Sequence, residues 1–209
     1  YAEMTDDELM AAIVAEINVD ERNIVGEYHS NTLAEYMERA IYVCPDCGLS
    51  RFESRGDIIK CLKCNKGMRY LPNKHFEGVG FDSPFEQVLD WYEYQENYVS
   101  KLDLVSREDG VIYEEKADLY KVNLYKNKEL LESGIGIELK GGGIVFIHND
   151  GRREEIPFAD ASAITVLGRN LLDIYCSDAV YQLKSDERFN ALKFVHFYNR
   201  WNNIKKGHS

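Results

Sequence analysis

No stretch of these 209 residues approaches the roughly 18 consecutive apolar positions needed to span a bilayer. The amino terminus also lacks a basic-then-apolar leader, so the expectation is a soluble, cytoplasmic chain. Basic side chains are short in number, 25 against 36 acidic, for a formal charge of −11. That balance excludes a broad basic face of the kind that wraps duplex DNA. Low-complexity linkers and internal repeats are missing too. What remains is ordinary for a globular protein, 44% hydrophobic and 29% charged, which excludes wholesale disorder and is enough for a real core. The first residue is Tyr1 rather than Met, which reads as a piece of something longer.

Charge divides the chain into four zones. Residues 1–39 carry −8, residues 40–82 carry +2, residues 83–103 carry −4 and residues 104–209 carry −1. The zones are expected to be a helical segment, a metal-binding module, a linking helix and a β-rich domain. Together they form an α+β multidomain chain.

Four of the five cysteines crowd into 21 positions. Cys44-Pro45-Asp46-Cys47 and Cys61-Leu62-Lys63-Cys64 are two C-x2-C pairs separated by 13 residues. Each pair can present two thiolates from one tight turn, so four sulfurs can surround a Zn²⁺ ion tetrahedrally at about 2.3 Å. Gly48 and Asn65 follow the second cysteine of each pair and tolerate the left-handed backbone such a knuckle needs. Ile41 and Val43 lead into the first knuckle. A Ser54-Arg55-Gly56-Asp57 turn separates Phe52 from Ile58-Ile59, and Met68 and Tyr70 leave the second. The pattern predicts a zinc ribbon with Cys44, Cys47, Cys61 and Cys64 as ligands. The spacing alone admits iron as well. A closed four-thiolate set has no open position for substrate, so the metal's role is structural.

Seven basic residues (Arg51, Arg55, Lys60, Lys63, Lys66, Arg69 and Lys74) lie near Phe52 and Tyr70. Such a cluster could form a small stacking platform for single-stranded nucleic acid. With acidic zones on both sides, the preferred reading is a solvated surface, and a nucleic-acid-binding ribbon is the alternative.

Thr5-Asp6-Asp7-Glu8 has capping-box form ahead of Leu9, Ile13 and Ile17, which predicts a first helix. A second, weaker helix is expected from Thr32, with Leu33, Tyr36 and Met37, and the intervening 19–31 are polar. Ser83-Pro84-Phe85-Glu86 predicts a helix from Ser83 to about Leu102, apolar on two sides and therefore held between neighbours.

Beyond residue 104 the signal alternates. Strands are expected around Tyr120-Val122-Leu124, Ile135–Leu139, Gly143–Ile147, Arg153–Phe158, Ala163–Leu167, Leu171–Cys176 and Val180–Lys184, with turns between them. A terminal helix from Ser185 to about Asn202 follows, with Phe189, Leu192, Val195, Tyr198 and Trp201 as its apolar face. Seven short strands and a tryptophan-bearing capping helix resemble the pleckstrin-homology-like (PH-like) fold. That resemblance implies a seven-stranded β-sandwich or barrel into which Trp201 packs. Lys121, Lys126, Lys128 and Lys140 stand where the family's headgroup binders are basic, but Glu129, Glu132 and Glu138 interrupt them. A protein-contact role is therefore expected over phosphoinositide binding. Cys176, in phase with Leu172 and Ile174, reads as a buried strand cysteine.

No nucleophile, base and oxyanion donor assemble by recognisable spacing around His29, His75, His148, His196 or His208. Module order and four phrases, Met4-Thr5-Asp6-Asp7-Glu8-Leu9, Tyr42-Val43-Cys44-Pro45-Asp46-Cys47-Gly48, Tyr181-Gln182-Leu183-Lys184-Ser185 and Phe189-Asn190-Ala191-Leu192-Lys193, carry a second resemblance. They are similar to the C-terminal extension of bacterial lysophosphatidate-type (1-acylglycerol-3-phosphate) acyltransferases of phospholipid synthesis. That family works through an H-x4-D pair. Here the residues five after each internal histidine are Ala34, Gly80, Arg153 and Trp201, so the pair is absent. The resemblance implies a non-catalytic accessory region with structural zinc and no catalytic residues. Its expected partner is an upstream acyltransferase domain or another protein, with membrane contact only through that parent.

Overall fold

Helix α1 (Asp6–Ile17) begins where its cap chemistry predicts. The Glu8 carboxylate accepts the Thr5 amide at 2.8 Å, and the Glu8 amide donates to the Thr5 hydroxyl at 3.3 Å. The computed structural model describes residues 4–17, 20, 22, 25–123 and 127–207. Tyr1, the strand position Leu124, Lys126, His208 and part of the polar 19–31 stretch lie outside the described residues. None of α1 is buried, and Ile13 and Ile17 face solvent.

The helix expected from Thr32 is absent. Residues 31–36 form turns, and only Met37–Arg39 make a short 3-10 helix. Tyr36, in the left-handed region at φ 70°, ends any continuous helical path there. The segment is instead tied down by tertiary contacts. The Ala34 amide donates to the Gly56 carbonyl at 2.9 Å, and Glu35 and Glu38 both pair with Arg188.

Two small antiparallel sheets follow. Strands β1 (Val43–Cys44) and β2 (Gly48–Leu49) pair across the first knuckle. Strands β3 (Phe52–Arg55), β4 (Ile58–Cys61), β5 (Gly67–Tyr70) and β6 (Phe76–Gly78) form a meander whose β4–β5 connection is the second knuckle. A core of Ile41, Ile59, Met68, Phe76, Phe85 and Trp91 lies beneath them.

Helix α2 (Val88–Ser100) starts five residues later than Ser83 predicts. The Ser83 hydroxyl closes a local turn, donating to the Phe85 carbonyl at 2.7 Å. Capping passes to Asp90, whose carboxylate accepts the Gln87 amide at 2.8 Å. As expected of a two-sided apolar helix, α2 lies between neighbours. Trp91 points into the small core, and Val99 into the large one.

The β-rich region is one seven-stranded antiparallel sheet: β7 (Val111–Val122), β8 (Glu129–Lys140), β9 (Gly143–Ile147), β10 (Arg153–Pro157), β11 (Ala161–Leu167), β12 (Leu171–Cys176) and β13 (Val180–Lys184). Its order is β10-β9-β8-β7-β13-β12-β11. The first two strands are longer than the alternation suggested, because charged positions such as Glu114-Glu115-Lys116 continue β7 without an apolar signal. Register shifts between β7 and β8 place extra residues near Gly134, at φ 68°, so the pair bends there. All seven strands contribute to one core with Phe194, Phe197, Tyr198 and Trp201.

Helix α3 (Leu192–Lys205) begins seven residues after Ser185. Asn190 caps it, its side-chain oxygen accepting the Lys193 amide at 3.0 Å. The buried face is 194, 197, 198 and 201, at i, i+3, i+4 and i+7, rather than the three-residue steps through Leu192 and Val195. Trp201 packs edge-on to Phe158, with ring centroids 6.1 Å apart.

Candidate metal centre

The two knuckles converge. The sulfurs of Cys44, Cys47, Cys61 and Cys64 all lie within 4.8 Å of one another, and Cys44 Sγ is 3.7 Å from Cys64 Sγ. A tetrahedron with arms of about 2.3 Å has edges of about 3.8 Å, so this spacing suits a thiolate-bound metal ion. Both knuckle residues take the backbone their types permit: Gly48 at φ 69° and Asn65 at φ 64°. Gly48 also abuts the Tyr98 hydroxyl, leaving no room for a β-carbon.

Burial raises the Cys44 thiol to about 12 and raises that of Cys47 as well. At Cys61 burial acts the same way, but the amides of Cys64 and Lys63 outweigh it and hold the thiol below its ordinary value. Four crowded sulfurs need a cation to carry negative charge together, which is what a metal ion supplies.

The first knuckle is held from behind by α2. The Gln95 side-chain oxygen accepts the amides of Tyr42 at 2.7 Å and Val43 at 3.2 Å, while its nitrogen donates to the Ala40 carbonyl at 2.9 Å. Trp91 Nε1 donates to the Val43 carbonyl at 2.8 Å. Sequence reasoning missed Gln95. Its one signal was position, since Trp91, Gln95 and Val99 fall at four-residue steps on one line of the helix.

A second set of contacts joins the ribbon to the β-rich unit. Arg188 pairs with Glu35 and Glu38 and donates to the Ser54 carbonyl at 2.8 Å. The Tyr113 hydroxyl donates to the Tyr42 carbonyl at 3.1 Å. His196 bridges the Tyr42 hydroxyl at 2.7 Å and the Tyr92 hydroxyl at 3.0 Å, and burial lowers its pKa to about 4. Lys193 is 3% exposed, pairs with Glu115 and lies 4.4 Å from the Tyr113 ring centre. Of these groups, Glu38, Tyr42, Glu115, Arg188 and Lys193 border a cleft of about 340 Å³.

Two other histidines serve local structure. His148 is buried between Glu132 at 2.6 Å and Glu154 at 3.0 Å, and His75 faces Glu86 at 3.4 Å. Cys176 is half-buried, and burial raises its thiol. The two aromatic residues of the expected nucleic-acid platform are partly buried. Phe52 and Tyr70 pack edge-on or tilted against Trp91 and Phe76, respectively, within the small core. Arg69 pairs with Asp57, Lys66 with Asp46 and Arg55 with Glu53, while Arg51 donates to the Glu114 carbonyl. Among the described residues, no helix is long and apolar enough to cross a membrane.

No protein-family profile matches the chain. No curated protein matches it either. Among solved structures the chain is similar to the Vps36 N-terminal PH domain, at 18% identity and a TM-score of 0.36, over 47% of this chain and 84% of that one. It is also similar to the N-terminal PH domain of human ARAP2, at 12% identity and a TM-score of 0.35, over 46% of this chain and 84% of that one. The C-terminal domain of an unknown protein from Leishmania infantum gives 10% identity and a TM-score of 0.31, over 49% of this chain and 92% of that one.

Proposed function

We propose that the chain is a non-catalytic accessory region in which a structural zinc ion, held by Cys44, Cys47, Cys61 and Cys64, fixes a ribbon against a PH-like unit. The convergence of four thiols within 4.8 Å carries this reading. Zinc is the preferred ion because it takes a closed tetrahedral set of four thiolates in structural sites. When bound, the ion would supply cross-linking of the two knuckles, with no open position for substrate. Cys44 and Cys47 would hold it from the β1–β2 hairpin, and Cys61 and Cys64 from the β4–β5 hairpin.

The parent enzyme in this reading is an acyltransferase of phospholipid synthesis, supported by module order and the phrases beginning at Met4, Tyr42, Tyr181 and Phe189. The chain would position that enzyme at a membrane surface or bind a protein partner for it. The nucleic-acid alternative is disfavoured because the ribbon's aromatic residues are spent on its core and three of its cations on nearby carboxylates.

Metal analysis of the purified chain tests the proposal. The expectation is about one zinc per chain, lost in Cys61→Ser together with the ribbon's protected amides, because thiolate ligation contributes on the order of 10–16 kcal/mol in zinc-finger peptides. A variant that folds unchanged without metal would overturn the structural role. Acyl transfer from a thioester to a lysophosphatidate by this chain alone would overturn the non-catalytic one.

A further inference from the structure

The sheet has one edge that its own strands leave open in mid-course. Strand β7 pairs with β8 along nearly all its length, but with β13 only over Asp118–Val122. β13 ends at Lys184, opposite Asp118, and from there back to Val111 the edge of β7 has no strand beside it among the described residues. That stretch is about 23 Å long, at roughly 3.3 Å per residue. The main-chain groups facing the vacated side are identified by what touches them. The Ser185 hydroxyl donates to the Lys116 carbonyl, and Arg51 donates to the Glu114 carbonyl. Alternate residues thus present hydrogen-bonding groups outward, the pattern a neighbouring strand would meet.

A groove runs along this edge, with the ribbon as its far wall. Two cavities of about 500 and 600 Å³ share Leu49, Val111 and Ile112. The 340 Å³ cleft joins the first of them through Ser50, Arg51 and Leu62. Leu62, Val105 and Val111, from the second knuckle, the α2–β7 loop and the head of β7, are 50%, 42% and 47% exposed and line it. The outermost strands of the sheet are protected differently. β10 carries Arg153, Glu154 and Glu155 and ends on Pro157, and the Ala161 carbonyl of β11 is taken by the Tyr198 hydroxyl of α3 at 2.9 Å. Charge and proline repel a further strand at β10, whereas the β7 groove offers apolar walls and single side-chain bonds that an incoming amide can replace.

We propose that this groove binds an extended peptide segment of a partner protein as an added strand on residues 111–116 of β7. Main-chain bonds to Glu114 and Lys116 would supply affinity. Alternate apolar side chains would lie against Leu49 and Leu62, and an acidic side chain would meet Arg51, released from the Glu114 carbonyl, and Lys63. An extended chain is the occupant because it alone offers donors and acceptors at a strand's repeat. The site needs the folded ribbon as a wall, and so rests on the reading given under Proposed function.

The test selects a displayed library of random twelve-residue peptides against the full, zinc-loaded chain. Enriched peptides are then titrated into isotopically labelled protein. Expected are alternating apolar sequences containing an acid, amide shifts centred on 112–116, and binding about tenfold weaker in Glu114→Pro. Proline removes an amide that faces the groove rather than β8, so the sheet should persist. Leu62→Asp is the second variant, with the same loss expected should the proline disturb folding. Metal content is measured in every sample, so metal loss, which concerns the ribbon, is separable from loss of binding with metal retained. No enrichment, shifts centred on β10 or β11, or binding indifferent to both substitutions would overturn the proposal. A dimer abolished by Glu114→Pro would also overturn it, by assigning the edge to a second copy of the chain.

Discussion

Gln95 is fully buried, and its carboxamide completes three main-chain groups leading into the first knuckle. Leucine at this position would keep the volume and strand two amides and a carbonyl away from water. Gln95→Leu should therefore destabilise the protein by about 2–4 kcal/mol in urea unfolding, and a loss near zero would show that water reaches those groups. His196 makes a different kind of contact, an uncharged ring between two tyrosine hydroxyls with a pKa lowered to about 4. The unfolded chain binds the proton near 6.5, so this residue's contribution is complete above that pH and declines as pH falls toward 4. By pH 5 the loss is about 2 kcal/mol. Ring resonances of His196 should stay neutral from pH 7.5 to 5, and a midpoint near 6.5 would contradict the burial. Neither role was legible from residue type: a glutamine among aromatics and a histidine beside a valine look alike whether buried or exposed. The four cysteines were legible because spacing alone limits what two tight turns can do.

At the scale of elements, caps decided where helices start, and sequence located them unevenly. Thr5 and Glu8 cap one another three residues apart, so their motif reads the same in the chain as in the fold. Ser83 and Ser185 have equally good local form, yet Ser83 turns toward Phe85 and Ser185 bonds Lys116 from a distant strand. Helix α2 consequently begins at the Gln87–Asp90 box, and α3 at Asn190, whose side-chain nitrogen also holds the distant Glu38 carbonyl. Strand positions from Gly143 to Lys184 were recovered well because tight turns bound them closely, while the charged head of β7 carried no apolar alternation. Helix α1 is the converse case, fully legible and almost unattached. Since none of it is buried, deleting residues 1–17 should leave the unfolding free energy unchanged within about 0.5 kcal/mol. A larger loss in calorimetry would reveal a packing partner for Leu9, Ile13 and Ile17.

Across the whole molecule, contacts between distant segments unite what composition had divided into four zones. Tyr42 and Val43 belong to the large core, although their neighbour Ile41 belongs to the small one and Cys44 to the metal cluster. Arg188 adds a charged clasp, with Glu38 only 5% exposed beneath it. Arg188→Met should cost about 2–3 kcal/mol by leaving Glu38 without its cation, and adding Glu38→Gln should recover part of that loss. Hydrogen exchange should quicken at residues 32–39 and 52–56 while β9 and β10 keep their protection. Uniform quickening would mean that the clasp is not local. Such pairings span about 150 positions and leave no periodic trace in a sequence, which is why they were invisible there.

Trp91 has a practical consequence for anyone wishing to cut or graft this protein. Its ring completes the small core from a helix that composition assigns to the linker, and its indole nitrogen holds the Val43 carbonyl. A ribbon excised at residues 40–82 would leave behind the wall of its own core, however intact its four thiols. The smallest portable version must include α2 as well, and with it the surface on which the β-rich unit rests. Transplantation thus moves nearly everything or yields a fragment with an aromatic-sized hole.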